Sequence, residues 1–319
     1  KTWQRIPDGT GSFVFRLSTK GVTNTLVVGN ININGVGNYS SIQDAINNAS
    51  DGDVINVLGG VHEEDLIIPA GKNNLELNAI GNTTIKGVVN VNSSLFPLAA
   101  PNIEILSDGV KIHGFNIESP DYHLGNYSSG IVIGAEDVEI YNNTFITNSA
   151  ETSDDISQVI QTYSKSAMAG VDISGLNIHN NIFTSKHNTA GTWGYEGVYI
   201  NPDIGNGEIY IKDNNFIGEI IRAITSERSK TTISGNDIIT ELSQSIGIQG
   251  INIINWDANN QANVKVINNT IKGSNSSKGF AQGIRIGQNS SQTLINFLIE
   301  NNILKYNSIG ILVKSSNSC

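Results

Sequence analysis

Several side chains that can bind or transform a polar ligand fall within successive copies of one short pattern. The pattern is a glycine followed by an apolar, a variable and a second apolar residue, as in GVDI at 170–173 and GVYI at 197–200. Apolar residues at every second position predict a strand with one buried face, so the variable residues face outward and stack on those of neighbouring copies. Together with the residues that precede each glycine or its alanine substitute, this stacking predicts one cluster of candidate catalytic residues: Asp172, Glu196, Tyr199 and Arg222.

The chemistry of this cluster suits an acidic sugar. Carboxylates and a phenol can transfer protons, and a guanidinium binds a carboxylate through two parallel hydrogen bonds. The long insertions at 146–169 and 184–196 can wall the cluster into a groove. The insertion at 184–196 and the later copies of the pattern supply four candidate ligand-binding residues: Trp193, Tyr195, Asn252 and Arg285.

A simpler interpretation of the same residues remains open. The outer face of any solvated solenoid is polar, and Glu196 and Arg222 can form an ordinary ion pair between neighbouring coils. Exposed ion pairs contribute only about 0–1 kcal/mol.

Internal repeats predict the elements that position these residues. The glycine pattern occurs six times, with AITS at 223–226 as an imperfect copy, at 130–133, 170–173, 197–200, 250–253, 283–286 and 310–313. A second motif, exemplified by IYNNTF at 140–145, also has six copies, at uneven intervals of 22 to 38 residues. Such intervals are typical of solenoid coils with fixed strands and variable loops. The predicted fold class is all-β, a right-handed parallel β-helix with two strand motifs in each coil.

The second motif carries an asparagine that recurs once per coil. Stacked coils lie about 4.8 Å apart, so identical residues align along the solenoid axis. An asparagine at a tight bend tolerates unusual backbone angles, and its amide can both donate to and accept from its copies. The predicted structural ladder consists of Asn143, Asn181, Asn214, Asn236, Asn269 and Asn302.

The N-terminal part of the chain differs from the repeats. The segment SIQDAI at 41–46 predicts a short amphipathic helix, with Ser40 or Ser41 as its N-cap, that covers the first end of the solenoid. Residues 1–24 contain one β-like run and are too short to form a core alone. We therefore expect an N-terminal extension over 1–24 and a parallel β-helix over 25–319.

The segment 40–69 resembles the opening of pectin-lyase-like β-helix proteins, especially the pectin-methylesterase type and microbial surface proteins with parallel β-helix repeats. The likeness is carried by the IQ-AI helix, the GD-I-V turn and strand, and the GG-H-E-D-I-P stretch. With the repeats, it extends over residues 38–315, and its motifs are specific for fold rather than for function. Residues 1–24 are similar to the end of a lamin-tail-type domain through Trp3, Arg5 and the turn Pro7-Asp8-Gly9, which implies an exported, extracellular surface protein.

The families with this fold that act on acidic polysaccharides have sequence motifs that this chain lacks. Asp154-Asp155 and Arg285-Ile286 echo two polygalacturonase motifs, but the GHG motif is absent, as are the esterase IVDFI and the epimerase DPHD. The leading hypothesis is therefore a non-enzymatic structural module of a microbial cell-surface layer, filament or adhesin. It would self-assemble into a homo-oligomer or polymer through the strand at 11–17. The alternative is a polysaccharide lyase, or another carbohydrate-active enzyme or binding module, that acts on acidic polysaccharide or surface glycans.

Composition excludes several other classes. The net charge is −10 and only 15% of the residues are charged, so no basic surface is available for nucleic acid. The apolar runs are too short to insert into a membrane. The single cysteine, Cys319, cannot form an internal disulfide, and the five histidines lack the spacing of a metal site. No metal or cofactor is predicted. Calcium is left as the option for a lyase, and Asp51 and Asp53 are interpreted as part of a turn rather than as a calcium site.

Nine Asn-x-Ser/Thr sequons occur, close to the number expected by chance in a chain of this composition. In an exported protein we expect those in loops to be glycosylated, namely Asn38, Asn82, Asn92, Asn126, Asn275 and Asn289.

Overall fold

The computed structural model describes twelve stretches of the chain. They are residues 2–6, 12–16, 30–88, 99–119, 127–148, 158–162, 171–186, 195–201, 204–242, 248–255, 263–288 and 296–314.

One helix and 28 strands are present in these stretches. The helix α1 spans Ile42–Asn48. The strands are β1 (Thr2–Ile6), β2 (Ser12–Arg16), β3 (Ile31–Ile33), β4 (Val54–Glu63), β5 (Leu66–Ile68), β6 (Glu76–Lys86), β7 (Ala99–Ile105), β8 (Lys111–His113), β9 (Asn116–Glu118), β10 (Tyr127–Ile133), β11 (Glu139–Tyr141), β12 (Thr144–Asn148), β13 (Gln158–Thr162), β14 (Asn177–His179), β15 (Ile182–Lys186), β16 (Tyr195–Ile200), β17 (Ile209–Lys212), β18 (Asn215–Gly218), β19 (Ile220–Ser226), β20 (Thr231–Ser234), β21 (Asp237–Thr240), β22 (Gln249–Asn255), β23 (Lys265–Ile267), β24 (Thr270–Gly273), β25 (Gln282–Gln288), β26 (Leu298–Glu300), β27 (Ile303–Lys305) and β28 (Ile309–Lys314).

Strands β3 to β28 form two long sheets. The nine-stranded sheet has the order β28-β25-β22-β19-β16-β13-β10-β7-β5, and the other sheet contains 17 strands. Both sheets are parallel, except that β3 pairs with β4 in antiparallel fashion. From β11 onward each coil gives two strands to the 17-stranded sheet and one to the nine-stranded sheet. Parallel strands that stack coil upon coil in this way are a parallel β-helix.

The core is a column of matching apolar residues contributed by successive coils. On β16, Val198 and Ile200 belong to it, and the same places on other strands also carry isoleucine or valine. Phe145, Phe183 and Phe216 stack with ring centroids 4.9 and 4.3 Å apart. The glycine of the first motif is explained by this stack, since a Cβ on Gly197 would lie 2.5 Å from a ring carbon of Phe216.

The second motif consists of two short strands separated by a turn, rather than one strand. In the first copy β11 ends at Tyr141, β12 begins at Thr144, and Asn142 between them has a φ of 54°. The next residue is the repeated asparagine, whose side chain is buried in most copies. The αL residue bends the chain between the two strands, so each coil contributes three strands rather than two.

The repeated asparagines form one continuous ladder. The backbone N–H of Asn181 donates to Asn214 Oδ1 at 3.0 Å, and Asn181 Nδ2 donates to the same oxygen at 3.0 Å and to the Ile140 carbonyl at 2.8 Å. The corresponding bonds between neighbouring side chains recur from Asn143 through to Asn302. The N–H of Phe115 donates to Asn143 Oδ1 at 3.0 Å, so the coil before the first ladder asparagine also joins the ladder.

Helix α1 packs its apolar side against the first strands. Ile42, Ala45 and Ile46 are fully buried, and the helix contacts β3, β4 and β5. Ser41 is the N-cap and accepts from the Asp44 N–H at 3.0 Å. The Glu64 carboxylate accepts from the N–H groups of Ile42 and Gln43, at 2.9 and 3.1 Å. It thereby satisfies two of the donors that a helix start leaves unpaired.

Strands β1 and β2 pair with each other in antiparallel register, from Thr2 with Arg16 to Ile6 with Ser12. Within the described residues they make no pairing with either long sheet. The strand predicted at 11–17 thus has β1 as its partner on one edge. In the described ranges, no helix has the length and apolar character needed to cross a bilayer.

Candidate functional site

A strip of polar side chains runs across the strands of the nine-stranded sheet. In one row Gln158, Glu196, Arg222, Gln249 and Gln282 are successive partners, and in a second row Gln161, Tyr199, Thr225, Asn252 and Arg285 are successive partners. On each strand, the residue just before the second-row position belongs to the core, for example Val198 and Ile224. We call these two rows the polar strip. It consists of Gln158, Gln161, Glu196, Tyr199, Arg222, Thr225, Gln249, Asn252, Gln282 and Arg285.

Glu196 and Arg222 form the charged centre of the strip. The Glu196 side chain is 2% exposed, that of Arg222 is 27% exposed, and Glu196 Oε1 lies in close contact with Arg222 Nη1. Gln158 Nε2 donates to the other carboxylate oxygen at 3.0 Å. Burial raises the pKa of Glu196, while the Arg222 charge and the Gln158 hydrogen bond act in the opposite direction without cancelling it. This carboxyl therefore holds a proton more readily than an exposed glutamate.

Tyr199 lies beside this pair. Its hydroxyl donates to Glu227 Oε1, on the residue that follows β19. Burial, the charge of Glu227 and the hydrogen bond to it raise the pKa of Tyr199 far above its usual value, with a further contribution from Glu196. Tyr199 is consequently a neutral phenol at physiological pH.

Arg285 occupies the same row as Tyr199, at the far end of the strip. Its Nη1 donates to Asn252 Oδ1 at 2.9 Å. Burial, followed by the positive charge of Arg222, lowers the pKa of Arg285. The influence of Arg222 indicates that the two guanidinium groups belong to one electrostatic environment.

Two buried polar atoms of the strip lack a hydrogen-bond or ion-pair partner among the described residues: Arg222 Nε and Thr225 Oγ1. The buried Glu196 Oε1 has the Arg222 guanidinium as its ion-pair partner. Buried polar groups are rarely left unpaired in proteins, and such exceptions often mark functional sites or bound water. Both unpaired atoms lie at the centre of the strip, and other unpaired buried atoms, such as His62 Nε2 and Asn102 Oδ1, lie elsewhere in the described residues.

The prediction that Asp172 belongs to the strip is wrong. The place between Val132 and Tyr199 is taken by Gln161 of β13, and Gln158 rather than Ala169 partners Glu196. Asp172 lies in the turn before β14, where its carboxylate accepts from the Ser174 N–H at 2.8 Å. The segment 170–173 matches the glycine motif, but β13 has no glycine. Chain spacing was the available signal, because Gln158 follows Asn143 by the same 15 residues that separate Glu196 from Asn181.

Tyr195 was expected to wall the groove, and this expectation is also wrong. Tyr195 is fully buried in the core, and its hydroxyl lies 3.0 Å from the Phe183 carbonyl and 3.2 Å from that of Ile217. A register irregularity at Tyr195 and Glu196 places these two neighbours differently, which a strictly alternating pattern cannot foresee. Trp193, Asp154, Asp155 and His187 lie outside the described residues.

Three of the six predicted glycosylation sites lie within the described residues. Asn38, Asn82 and Asn275 are exposed, whereas Asn92, Asn126 and Asn289 lie outside the described residues. Asn82 Oδ1 accepts from Asn116 Nδ2 at 2.8 Å, and Asn275 Oδ1 accepts from the Ser277 N–H and hydroxyl at 2.9 and 2.7 Å.

The acidic residues considered for calcium are engaged in turns. Asp53 accepts from the Ser50 N–H at 2.7 Å and from Asn34 Nδ2 at 2.6 Å, and Asp51 accepts from the Asn73 N–H at 3.2 Å. In the part of the chain that the structure describes, no group of three or more His, Cys, Asp or Glu side chains is arranged to hold a metal ion.

Comparisons with known proteins identify the fold. Pectin methylesterase from Aspergillus niger, in deglycosylated form, superposes with a TM-score of 0.53 and 16% identity over 89% of this chain and 88% of that one. Alginate lyase from Paenibacillus sp. str. FPU-7 gives 0.51 and 13% over 86% and 96%. The Escherichia coli protein YbhC gives 0.51 and 11% over 95% and 84%. No family model and no curated protein matches the sequence. The chain therefore shares the parallel β-helix fold of these proteins.

Proposed function

We propose that this chain is an exported carbohydrate-active protein that binds an acidic polysaccharide along the polar strip. The observation that carries this proposal is the buried Glu196 paired with the partly exposed Arg222, at the centre of a row of amide side chains. A ligand that offers hydroxyl and carboxylate groups can pair with the exposed part of the Arg222 guanidinium, and sugars of acidic polysaccharides carry both.

The arrangement of the strip favours an extended ligand. Amide side chains of Gln249, Gln282 and Asn252 continue from the charged centre toward Arg285, one coil at a time. Coils repeat about every 4.8 Å, so hydrogen-bonding groups recur at regular intervals along the axis. A polymer of repeating sugar units matches such a surface better than a compact ligand does.

The same centre has the residues for catalysis of proton transfer. A carboxyl group with a raised pKa can act as general acid or base near neutral pH, and a guanidinium can stabilise developing negative charge. Two of the solved structures that share this fold are a pectin methylesterase and an alginate lyase. This likeness supports a carbohydrate-active role at the level of fold only, so turnover is measured separately from binding.

Binding is tested by titrating the purified chain with polygalacturonate and alginate, and with uncharged dextran, at about 0.15 M salt. Under that condition the screening length is about 8 Å, so repulsion by the net charge of −10 is limited. The decisive variant is the double substitution Glu196→Ala with Arg222→Ala. The matched control is Glu63→Ala with Lys86→Ala, which removes an exposed ion pair from the other sheet.

We expect binding to an acidic polymer, no binding to dextran, a loss of at least tenfold in affinity for the strip variant and no loss for the control. Absence of binding to either acidic polymer, or equal affinity of the two double variants, would overturn the proposal. Incubation of the wild type with the bound polymer then assays turnover as unsaturated ends, new reducing ends or released methanol.

A second candidate function, a self-assembling structural module, is favoured by a different observation. Apolar side chains of the last described coil are exposed, namely Leu298, Ile303, Ile309, Ile311 and Val313, with Val313 65% exposed. Strand edges and apolar surface of this kind promote association between chains. Electron microscopy of the native protein tests this candidate. Regular polymers that are lost on deletion of residues 1–24 would support it, and dispersed monomers would contradict it.

A further inference from the structure

We propose that Arg285 is a specificity-determining residue that binds a carboxylate of the polysaccharide two coils away from the Glu196–Arg222 centre. This inference rests on the proposed function and extends it, since it assigns the residue that selects an acidic over a neutral polymer. It also gives the direction of the bound polymer, across the strands and along the solenoid axis.

Arg285 differs from Arg222, the other cation of the strip, in its partners. Arg222 faces the Glu196 carboxylate, whereas the single polar partner of Arg285 within the described residues is the neutral Asn252 amide. A partly buried guanidinium without a carboxylate partner is costly, because desolvation is not offset by an opposite charge. The lowered pKa of Arg285, caused first by burial and then by Arg222, agrees with this uncompensated state.

The surroundings of Arg285 hold the guanidinium in place. Asn252 Oδ1 fixes Nη1, and Gly287 lies against the same group. A Cβ on Gly287 would approach the guanidinium carbon and Nη2 to 2.8 Å. Any other residue at 287 would therefore displace the side chain. A fixed guanidinium loses less rotamer freedom when it binds a carboxylate, which favours recognition.

The separation of the two arginines predicts a dependence on ligand length. The partner of Arg222 on β22 is Gln249, and the partner of Gln249 on β25 is Gln282, three residues before Arg285. Two coil spacings amount to about 10 Å. One sugar unit cannot reach both guanidinium groups, whereas a longer oligosaccharide with a carboxylate on each unit can.

The test uses oligogalacturonates of increasing length, and carboxyl-reduced polygalacturonate as the neutral counterpart. We expect Arg285→Gln to lower the affinity for long oligomers by about 10- to 100-fold, the value of a charge-assisted hydrogen-bonded pair. Affinity for the shortest oligomers that bind should change little, and the preference for the acidic over the reduced polymer should disappear.

A second variant keeps Arg285 but pairs its positive charge with a carboxylate of the protein itself. Asn252→Asp places a carboxylate beside Arg285 with almost no change of shape, so it should weaken binding as Arg285→Gln does. Asn56→Asp is the matched control, because Asn56 lies on the 17-stranded sheet and its Nδ2 donates to Asn32 Oδ1. The control should bind as the wild type does. Thermal unfolding of all variants identifies any effect that arises from misfolding.

The binding measurements separate a failure at Arg285 from a failure of the proposed function. If Arg285→Gln and Asn252→Asp fold and keep wild-type affinity and acid preference, while the Glu196/Arg222 double variant loses binding, Arg285 has no part in recognition and the proposed function stands. If the wild type binds no acidic polymer, both are overturned.

Discussion

Glu196 and Arg222 are direct partners on the adjacent strands β16 and β19, and their charges meet where the carboxylate is almost fully buried. An ion pair in such a place is costly to break from one side. Removal of one partner leaves a buried charge without compensation, which destabilises proteins by about 3–5 kcal/mol. Removal of both partners leaves no uncompensated charge.

This relationship makes a prediction for stability. Arg222→Ala should lower the free energy of unfolding by about 3 kcal/mol or more. Addition of Glu196→Ala should restore part of that loss. Urea denaturation of the wild type, the two single variants and the double variant measures this coupling. A double variant that is less stable than Arg222→Ala by the full amount of Glu196→Ala alone would show that the two residues act independently.

The asparagine ladder should contribute strongly to stability. Asn214 accepts from the N–H and Nδ2 of Asn181 and donates to Ile178 and Asn236, so Asn214→Ala leaves several buried groups unpaired. We expect a loss of about 2–4 kcal/mol in the free energy of unfolding. Asn296→Ala is the control, because it removes a single exposed bond to Asn263. Equal losses for the two variants would contradict a structural role for the ladder.

The glycine of the strand motif should be required by the core beneath it. Gly197→Ala would place a Cβ 2.5 Å from both Phe216 and the Ala223 carbonyl oxygen, which we expect to cost about 1–3 kcal/mol. At Gly59 the new Cβ would lie 3.6 Å from the Asn82 carbonyl oxygen, an ordinary contact, so Gly59→Ala should be nearly neutral. Thermal unfolding compares the two, and a stable Gly197→Ala protein would contradict this packing.

The two neighbouring tyrosines should separate stability from binding. Tyr195→Phe removes a buried hydroxyl bond in the core and should cost about 1 kcal/mol without a change in polysaccharide affinity. Tyr199→Phe removes the hydrogen bond from Tyr199, a residue of the strip, to Glu227, and should lower the polysaccharide affinity. The titration used for the proposed function measures both. A loss of affinity in Tyr195→Phe alone would contradict the placement of these side chains.

Glu139 should make stability depend on acid pH. Burial raises its pKa, but the hydrogen bond to His179 and the charge of Lys111 outweigh burial, so the net pKa lies below the usual value. A carboxyl with a lowered folded-state pKa stabilises the fold above its unfolded pKa, and this contribution is lost as the pH falls through the folded value. Wild type should therefore exceed Glu139→Gln in stability near pH 7, and the difference should vanish at low pH. A difference that is constant from pH 7 to 3 would contradict the assignment.

Much of the fold was predictable from the sequence because each coil repeats the same local chemistry. Each repeat contains a recognisable turn asparagine and a strand with two apolar residues. Because these motifs recur along the chain, they predict coils that stack on one another. Right-handed winding stays a prediction, based on the general handedness of parallel crossovers. The three-strand coil was missed because strands such as β11 and β14 have three residues, too few for a periodic pattern.

The site was predictable only where the strands keep the glycine motif. Glu196, Tyr199, Arg222, Asn252 and Arg285 occupy the strip, because their strands carry the motif or its alanine variant. Gln158 and Gln161 were missed, because β13 has no glycine, and the sequence at 170–173 matches the motif although residues 171–173 are not part of a strand. Tertiary stacking decides which of two similar segments enters a sheet, and this decision is not local.

The most direct test of the proposed function is a crystal structure of the chain with an acidic oligosaccharide long enough to span three coils. We predict that the sugar lies along the polar strip, with one carboxylate at Arg285 and another sugar unit at Arg222. An oligosaccharide bound on another surface, or a strip that stays empty at saturating ligand, would contradict the account.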